Sequence, residues 1–331
     1  MRILFDAQGG DNAPLSVIKG AIEARDEFGV EVALIGNEKE IRKAAEENDL
    51  NLDFEIINVQ EVIENSDNPA TAIRRKKDSS IVRGLGMLKE NTYDCFVSCG
   101  STGALLAGGL FIVGRIPNIK RAVLPTFIPN IKGKTLLIDS GANMDCDENL
   151  LFEFAETGKV YLESLGIENP KIGLLNVGVE EGKGNSVTKK TFSLLKDSNL
   201  NFIGNVEARD ISMGICDLVI CDGFVGNTIL KTTEGVAGFL VKTLKKTLLE
   251  TDITDEQRAM ILKNFSKSLD YKDVGGVLLL GLNKILIKAH GSSDARAIKN
   301  AAKSGVFAQE NNIIEKLRDT FMEEEKWKRK F

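Results

Sequence analysis

The stretch ILFDAQGGDNAP (3–14) decides how this chain is read. An apolar run that fits a buried strand ends in a loop of Asp, Gly and Asn, and a helical pattern follows over 14–27. The same punctuation returns in CFVSCGSTGALL (95–106), LLIDSGANMDC (136–146), GLLNVGVEEGKGN (173–185), LVICDGFVGN (218–227) and LIKAHGSSDA (286–295). In a parallel sheet the carboxyl ends of the strands lie on one edge. Loops of this kind therefore gather around a single crevice and point backbone N–H groups and helix N-termini into it. This describes a binding place for a phosphate or a carboxylate. The cradle it predicts comprises Asp6, Gly9, Gly10, Asp11 and Asn12; Ser101, Thr102 and Gly103; Asp139, Gly141 and Asn143; Glu181, Gly182 and Gly184; Asp222, Gly223 and Gly226; and Ser292.

Working outward, strand patterns fall near 2–6, 31–35, 54–58, 94–98, 122–128, 134–139, 171–176, 201–204, 217–221 and 284–288. Helical patterns lie near 14–27, 38–48, 79–91, 102–113, 149–165, 186–197, 226–250, 255–270 and 294–306. This alternation predicts an α/β fold with a doubly wound, mostly parallel, Rossmann-like sheet. RAVLPTFIPN (121–130) and KGKTLLIDS (132–140) overlap a turn-like NIKG and read as an antiparallel hairpin added to it. No repeat or Pro/Ser-rich linker marks a boundary, so 1–331 is expected to be one α/β catalytic unit, with room for two lobes.

Between 235 and 272 the rhythm breaks, because two helical patterns run without a strand between them. Val236, Phe239, Leu240 and Leu244 recur at helical spacing, as do Leu262, Phe265 and Leu269, while Thr254 and Gln257 stand at capping-box spacing. An amphipathic helical hairpin follows. Its apolar faces pack on the body or on a second subunit, or its tip touches an anionic membrane through Lys242, Lys245 and Lys246. The tail EEEKWKRKF (323–331) mixes both charges and reads as a solvated helix end.

Lys and Arg number 43 against 48 Asp and Glu, a net charge of −5 that disfavours nucleic acid as a partner. No apolar run approaches the roughly 20 residues a spanning helix needs, and the start reads as a first strand rather than a leader, so a cytoplasmic protein is expected. Cys95, Cys99, Cys146, Cys216 and Cys221 form no CxxC pair; most sit in apolar runs, as inert core thiols do. Walker A needs GxxxxGK before Ser or Thr, whereas 178–185 reads GVEEGKGN, one residue short. GxGxxG after a strand, HExxH and GxSxG are absent too, and a lone His290 cannot build a multi-histidine metal site. No metal and no cofactor are expected. Asp6, Asp11, Asp139 and Asp222 are the remaining alternative, as helix caps and turn formers or as a Mg²⁺ site.

The wording of the loops is distinctive in its own right. FDAQGGDNAP, AIRRKKDSSI, GSTGALLAGGLFIVGRIP, IDSGANMDC, NVGVEEGKGN, GNVEARD, CDGFVGNTILKTTEG and IKAHGSSDA occur in an order that resembles the bacterial phosphate acyltransferase family of phospholipid synthesis. Gln8, Ser101 and Ser140 depart from the family's usual residues. The resemblance implies a fold similar to isocitrate and isopropylmalate dehydrogenases and to phosphotransacetylase, a crevice between two lobes, and a homodimer. It also implies transfer of a fatty acyl group from acyl carrier protein to inorganic phosphate. Such a reaction needs no Ser or Cys nucleophile, since phosphate brings its own oxygen. Donors preorganised for the developing oxyanion, or for the departing thiolate, are then the catalytic need, and Lys183, His290 and Asn227 are the candidates. Each has a structural rival: Lys183 pairs with Glu180 or Glu181, and His290 serves as a structural hydrogen-bonder. Arg74, Arg75, Lys76 and Lys77 are a solvated helix face or a docking patch for the acidic carrier protein. A coenzyme A-dependent enzyme of the phosphotransacetylase type and a non-catalytic scaffold binding carrier protein or membrane remain the alternative functions.

Overall fold

The computed structural model describes residues 1–268 and 275–328. In chain order its elements are β1 (Arg2–Asp6), α1 (Leu15–Phe28), β2 (Glu31–Gly36), α2 (Glu38–Glu46), β3 (Glu55–Asn58), α3 (Pro69–Arg75), α4 (Ser80–Lys89), β4 (Cys95–Ser98) and α5 (Thr102–Gly108), which runs on into a π-turn. Then come β5 (Thr126–Asn130), β6 (Gly133–Ile138), α6 (Glu148–Ser164), β7 (Ile172–Leu175), α7 (Ser186–Lys196), β8 (Phe202–Val206), α8 (Ala208–Met213), β9 (Leu218–Ile220), α9 (Gly223–Leu249) and α10 (Asp255–Ser268). β10 (Gly276–Leu278), β11 (Ile285–Ala289), α11 (Ala295–Glu310) and α12 (Ile313–Lys328) close the chain. Leu269, the end of the 255–270 helix and of the 235–272 hairpin, and the last three residues of the tail lie outside the described residues.

The chain divides into two compact units, Met1–Leu124 with Asp273–Phe331, and Pro125–Lys272. Each has its own sheet. The first is six-stranded in the order β10-β11-β4-β1-β2-β3, and the second five-stranded in the order β5-β6-β9-β7-β8. The periodicity locates every strand of this α/β fold but β10, whose three residues are too short to show a period, and assigns them to one sheet. Pairing is what it lacks: β11 comes late in the chain yet pairs in parallel with β4, Ile285 opposite Cys95, and nothing local to either strand records this.

In the first sheet every ladder is parallel except β10 with β11. Strands buried on both faces read as unbroken apolar runs, and Ile3, Leu4, Phe5, Leu34, Ile35 and Phe96 are fully buried. Burying a side chain the size of Phe96 contributes roughly 1.5–3 kcal/mol. α4 reaches that ring because it carries Gly84 there; a Cβ would stand 2.6 Å from the Phe96 ring. In the second sheet β5 and β6 form the predicted antiparallel hairpin, Thr126 opposite Leu137 and Asn130 opposite Gly133, and the remaining pairs are parallel.

Thr254 and Gln257 form the predicted capping box: the Thr254 N–H donates to Gln257 Oε1 at 3.0 Å, and the Gln257 N–H to Thr254 Oγ1 at 3.2 Å. On α9 and α10, Phe239 is 66% and Met260 58% exposed, so the chain's own body leaves much of this apolar surface uncovered. No described helix is long and apolar enough to cross a membrane.

Candidate functional site

β1, β4 and β11 lie side by side in parallel, which puts the loops that follow them on one edge of the first sheet. Asp6 closes β1 and is buried. Its Oδ2 accepts the Ser98 hydroxyl at 2.6 Å and its Oδ1 the Gln8 N–H at 3.1 Å. Burial raises its pKa above the ordinary value, against the opposing pull of hydrogen bonds from Ser98, Ser80, Gln8 and Gly9. The loop then turns through Gly9 and Gly10 and is stitched to the loop after β11. The Asp11 N–H donates to the Gly291 carbonyl at 2.7 Å, and Asn12 Nδ2 to the carbonyls of Ser292 and Ser293 at 3.2 and 3.3 Å. Ser101 caps α5 through the Ala104 N–H at 3.5 Å, and Thr102 and Gly103 form the first turn.

His290, exposed at the end of β11, has its tautomer set by this loop. Nδ1 accepts the Ser292 N–H at 3.2 Å, and the Ser292 hydroxyl lies 2.9 Å away. A main-chain N–H only donates, so Nδ1 holds the lone pair and the neutral ring carries its proton on Nε2.

In the second unit β6, β9 and β7 are likewise adjacent and parallel. Asp139 is fully buried, and the next loop wraps around its carboxylate: Oδ2 accepts the Ala142 N–H at 3.0 Å, the Asn143 N–H at 2.6 Å and Asn143 Nδ2 at 3.0 Å. The Asn143 carbonyl in turn accepts the Gly223 N–H at 2.7 Å, tying this loop to the start of α9, which Asp222 caps through the Val225 N–H at 2.8 Å. Asn227 is exposed after the first turn of α9, beside Gly141; a Cβ on Gly141 would lie 3.6 Å from that of Asn227.

The loop after β7 carries Lys183, and its backbone is anchored on both sides. The Lys183 N–H donates to the Glu180 carbonyl at 3.0 Å, and the Lys183 carbonyl accepts Asn176 Nδ2 at 3.2 Å. Asn205, buried at the end of β8, donates its Nδ2 to the same Glu180 carbonyl at 2.9 Å. Glu181 turns away to pair with Lys196 at 2.9 Å, so the Lys183 ammonium has neither expected carboxylate partner and stands in solvent. Gly182 and Gly184 flank it.

The structure thus collects the predicted residues as two triads of loops, one on each sheet. Asp6 and Asp11 belong to one and Asp139 and Asp222 to the other. Asp139 and Asp222 act as loop and helix caps, and no group of three or more His, Cys, Asp or Glu among the described residues could hold a metal ion. Lys183, Asn227 and His290, the catalytic candidates among the predicted residues, are exposed. Of the basic run, Arg74 and Arg75 are exposed on α3, and Lys77 Nζ donates to the Ile73 carbonyl at 3.3 Å. Lys76 pairs with Asp67 at 2.6 Å and also donates to the Val62 carbonyl, so it holds its own loop. Asn176 and Asn205, which hold the Lys183 loop's carbonyls, are not among the residues singled out from the sequence, although Asn176 opens the distinctive NVGVEEGKGN and Asn205 lies in GNVEARD.

Cys95, Cys99, Cys216 and Cys221 are buried and Cys146 is half-buried, and every thiol pKa is raised chiefly by burial. It pushes Cys99 up to about 11 and Cys146 and Cys216 up to about 12, Cys146 also feeling the Asp139 and Asp222 charges; Cys95 and Cys221 are raised further by the same cause.

A phosphate acyltransferase from Caldanaerobacter subterraneus is 46% identical over 325 residues, 96% of this chain and 97% of that one. Among solved structures, EutD phosphotransacetylase from Staphylococcus aureus superposes with a TM-score of 0.62 at 16% identity, covering 94% of each chain. A 4-hydroxythreonine-4-phosphate dehydrogenase from Klebsiella pneumoniae does so with a TM-score of 0.53 at 12% identity, covering 93% of this chain and 98% of that one. These two likenesses concern the fold, which is of the phosphotransacylase and dehydrogenase-like type. The fatty acid synthesis protein family matches residues 1–316, and with nearly the whole chain aligned to it and to its relatives, the chain belongs to that family.

Proposed function

We propose that the chain is an acyltransferase that moves a fatty acyl group from acyl-[acyl-carrier-protein] to inorganic phosphate, giving acyl phosphate for phospholipid synthesis. The observation that carries this reading is the near full-length similarity to a phosphate acyltransferase, set beside loops that expose Lys183, Asn227 and His290. A phosphate oxygen attacks the thioester carbonyl, the C–S bond breaks, and the pantetheine thiolate leaves with a proton taken up from the site or from water. Lys183 is assigned to the charge that develops on the carbonyl oxygen or the departing sulfur. Asn227 adds an amide donor, and His290 offers the Nε2–H that its Ser292 contact sets.

Arg74 and Arg75, exposed and adjacent, are the part of the basic run suited to steer an acidic carrier protein; Lys76 is occupied by Asp67. The uncovered face of α9 and α10 supports a homodimer contact, and Lys242, Lys245 and Lys246, exposed on α9, support peripheral contact with anionic lipid.

The donor is tested by comparing long-chain acyl-carrier protein with short acyl-coenzyme A at fixed phosphate, following free thiol and hydroxylamine-trappable acyl phosphate. Preference for the carrier protein that falls with added salt and with R74E/R75E is expected. Equal turnover of short acyl-coenzyme A would move the protein to the phosphotransacetylase type. Co-sedimentation with anionic vesicles lost in K242E/K245E/K246E supports the lipid contact, and unaltered co-sedimentation removes it.

A further inference from the structure

The Lys183 loop contains a device that the catalytic assignment alone does not explain. Lys183 is an exposed side chain on a loop between β7 and α7, the kind of position where a lysine ordinarily samples many rotamers. Its main chain is nevertheless tied on both sides. Two asparagine amides reach in from the ends of two neighbouring strands, Asn176 just past β7 and Asn205 in β8. Asn176 donates to the carbonyl of Lys183 itself, while its Oδ1 takes the Val177 N–H at 2.8 Å. Asn205 donates to the Glu180 carbonyl, which also receives the Lys183 N–H. β7 and β8 are paired in parallel, and the Asn176 N–H donates to the Val206 carbonyl at 2.8 Å, so both amides rest on one rigid strand pair.

Asn205 does this at a cost. Its residue is 6% exposed and its Oδ1 is buried without a hydrogen-bond partner, a state disfavoured by about 1–3 kcal/mol. An apolar residue of similar size would remove that penalty but would also release the Glu180 carbonyl. The geometry fits a residue retained for where it holds the loop.

We infer that Asn176 and Asn205 are positioning residues for Lys183, fixing its backbone so that the ammonium is presented at one place. This rests on the assignment of Lys183 above. A catalytic donor displaced by about 1 Å can lose as much as a hundredfold in rate, so two weak hydrogen bonds far from the chemistry have a large lever. Asn176 acts through the Lys183 carbonyl, and Asn205 through the Glu180 carbonyl to which the Lys183 N–H also donates.

The test is a double-mutant cycle in turnover. Asn176→Asp keeps the size and the acceptor for Val177 but sets a carboxylate oxygen against the Lys183 carbonyl, and Asn205→Ser withdraws the other donor. In the wild-type background each is expected to lower kcat by about tenfold, with KM for phosphate changed by less than about twofold. In a Lys183→Ala background the same substitutions are expected to cost less than about twofold, because the group they position is gone. Equal losses in both backgrounds, for both substitutions, would overturn the inference and show a structural role independent of Lys183. If Lys183→Ala alone leaves turnover intact, the assignment of Lys183 itself fails and this inference fails with it. The two failures are distinguished by the single variant.

Discussion

A Cβ placed on Gly226 would stand 1.8 Å from the main-chain carbonyl oxygen of Asp139. That approach brings the first turn of α9 against the end of β6, and it joins two of the loops that carry candidate residues. Gly226→Ala must push one of them away. Because the neighbour is backbone, a cost above about 2 kcal/mol is expected, together with loss of turnover. A wild-type Tm and activity would mean that the two loops are not so tightly registered.

Asp6 gives a pH signature. Its folded pKa is raised by burial, so the folded state holds a proton more tightly than the unfolded chain does. Its contribution to stability is therefore complete below the ordinary value of 3.8 and is lost as pH rises through the raised folded value. Asp6→Asn, which cannot ionise, should gain in Tm relative to wild type as pH climbs from the acid range to neutrality. A difference in Tm that does not vary with pH would contradict the assignment.

Lys183→Ala and His290→Ala should each lower turnover at least tenfold, roughly the contribution of one donor or acid, while Tm stays near wild type since both side chains are exposed. Steady-state rates and thermal melts of the same preparations decide it. Retained activity would return the residue concerned to a structural role.

The Thr254–Gln257 capping box predicts a local effect. Thr254→Ala should destabilise the start of α10 by about 1 kcal/mol, visible as faster amide exchange confined to 255–258. Unchanged protection there would show that packing, and not the cap, sets the end of this helix.

How much of this was legible in the sequence depends on the range of the interaction. The loops entered at Asp6, Asp139 and Asp222, the β5–β6 hairpin and the Thr254 cap are local, and they stand where the period and the turn residues put them. α3 shows no helical period over its seven residues, although Asn68 and Pro69 spell a helix start; Asn68 accepts the Thr71 N–H at 3.1 Å. α8 was too short for periodicity, and its capping box of Glu207 and Asp210 is the signal that could have found it. The division into two sheets was out of reach, since it rests on pairings such as Ile285 with Cys95. The pairing of Lys76 with Asp67 and of Glu181 with Lys196 is out of reach for the same reason, and so are the hydrogen bonds of Asn176 to the Lys183 carbonyl and of Asn205 to the Glu180 carbonyl. A charged residue's type says what it could bind, whereas its partner is decided by the fold.

Phosphate as a reacting substrate is the centre of the account, and isotope transfer tests it most directly. With acyl-carrier protein and phosphate labelled with ¹⁸O on every oxygen, the acyl phosphate should carry the whole label by mass spectrometry, with one free thiol released for each acyl phosphate formed. Thiol release that proceeds equally without phosphate, yielding unlabelled fatty acid, would contradict it.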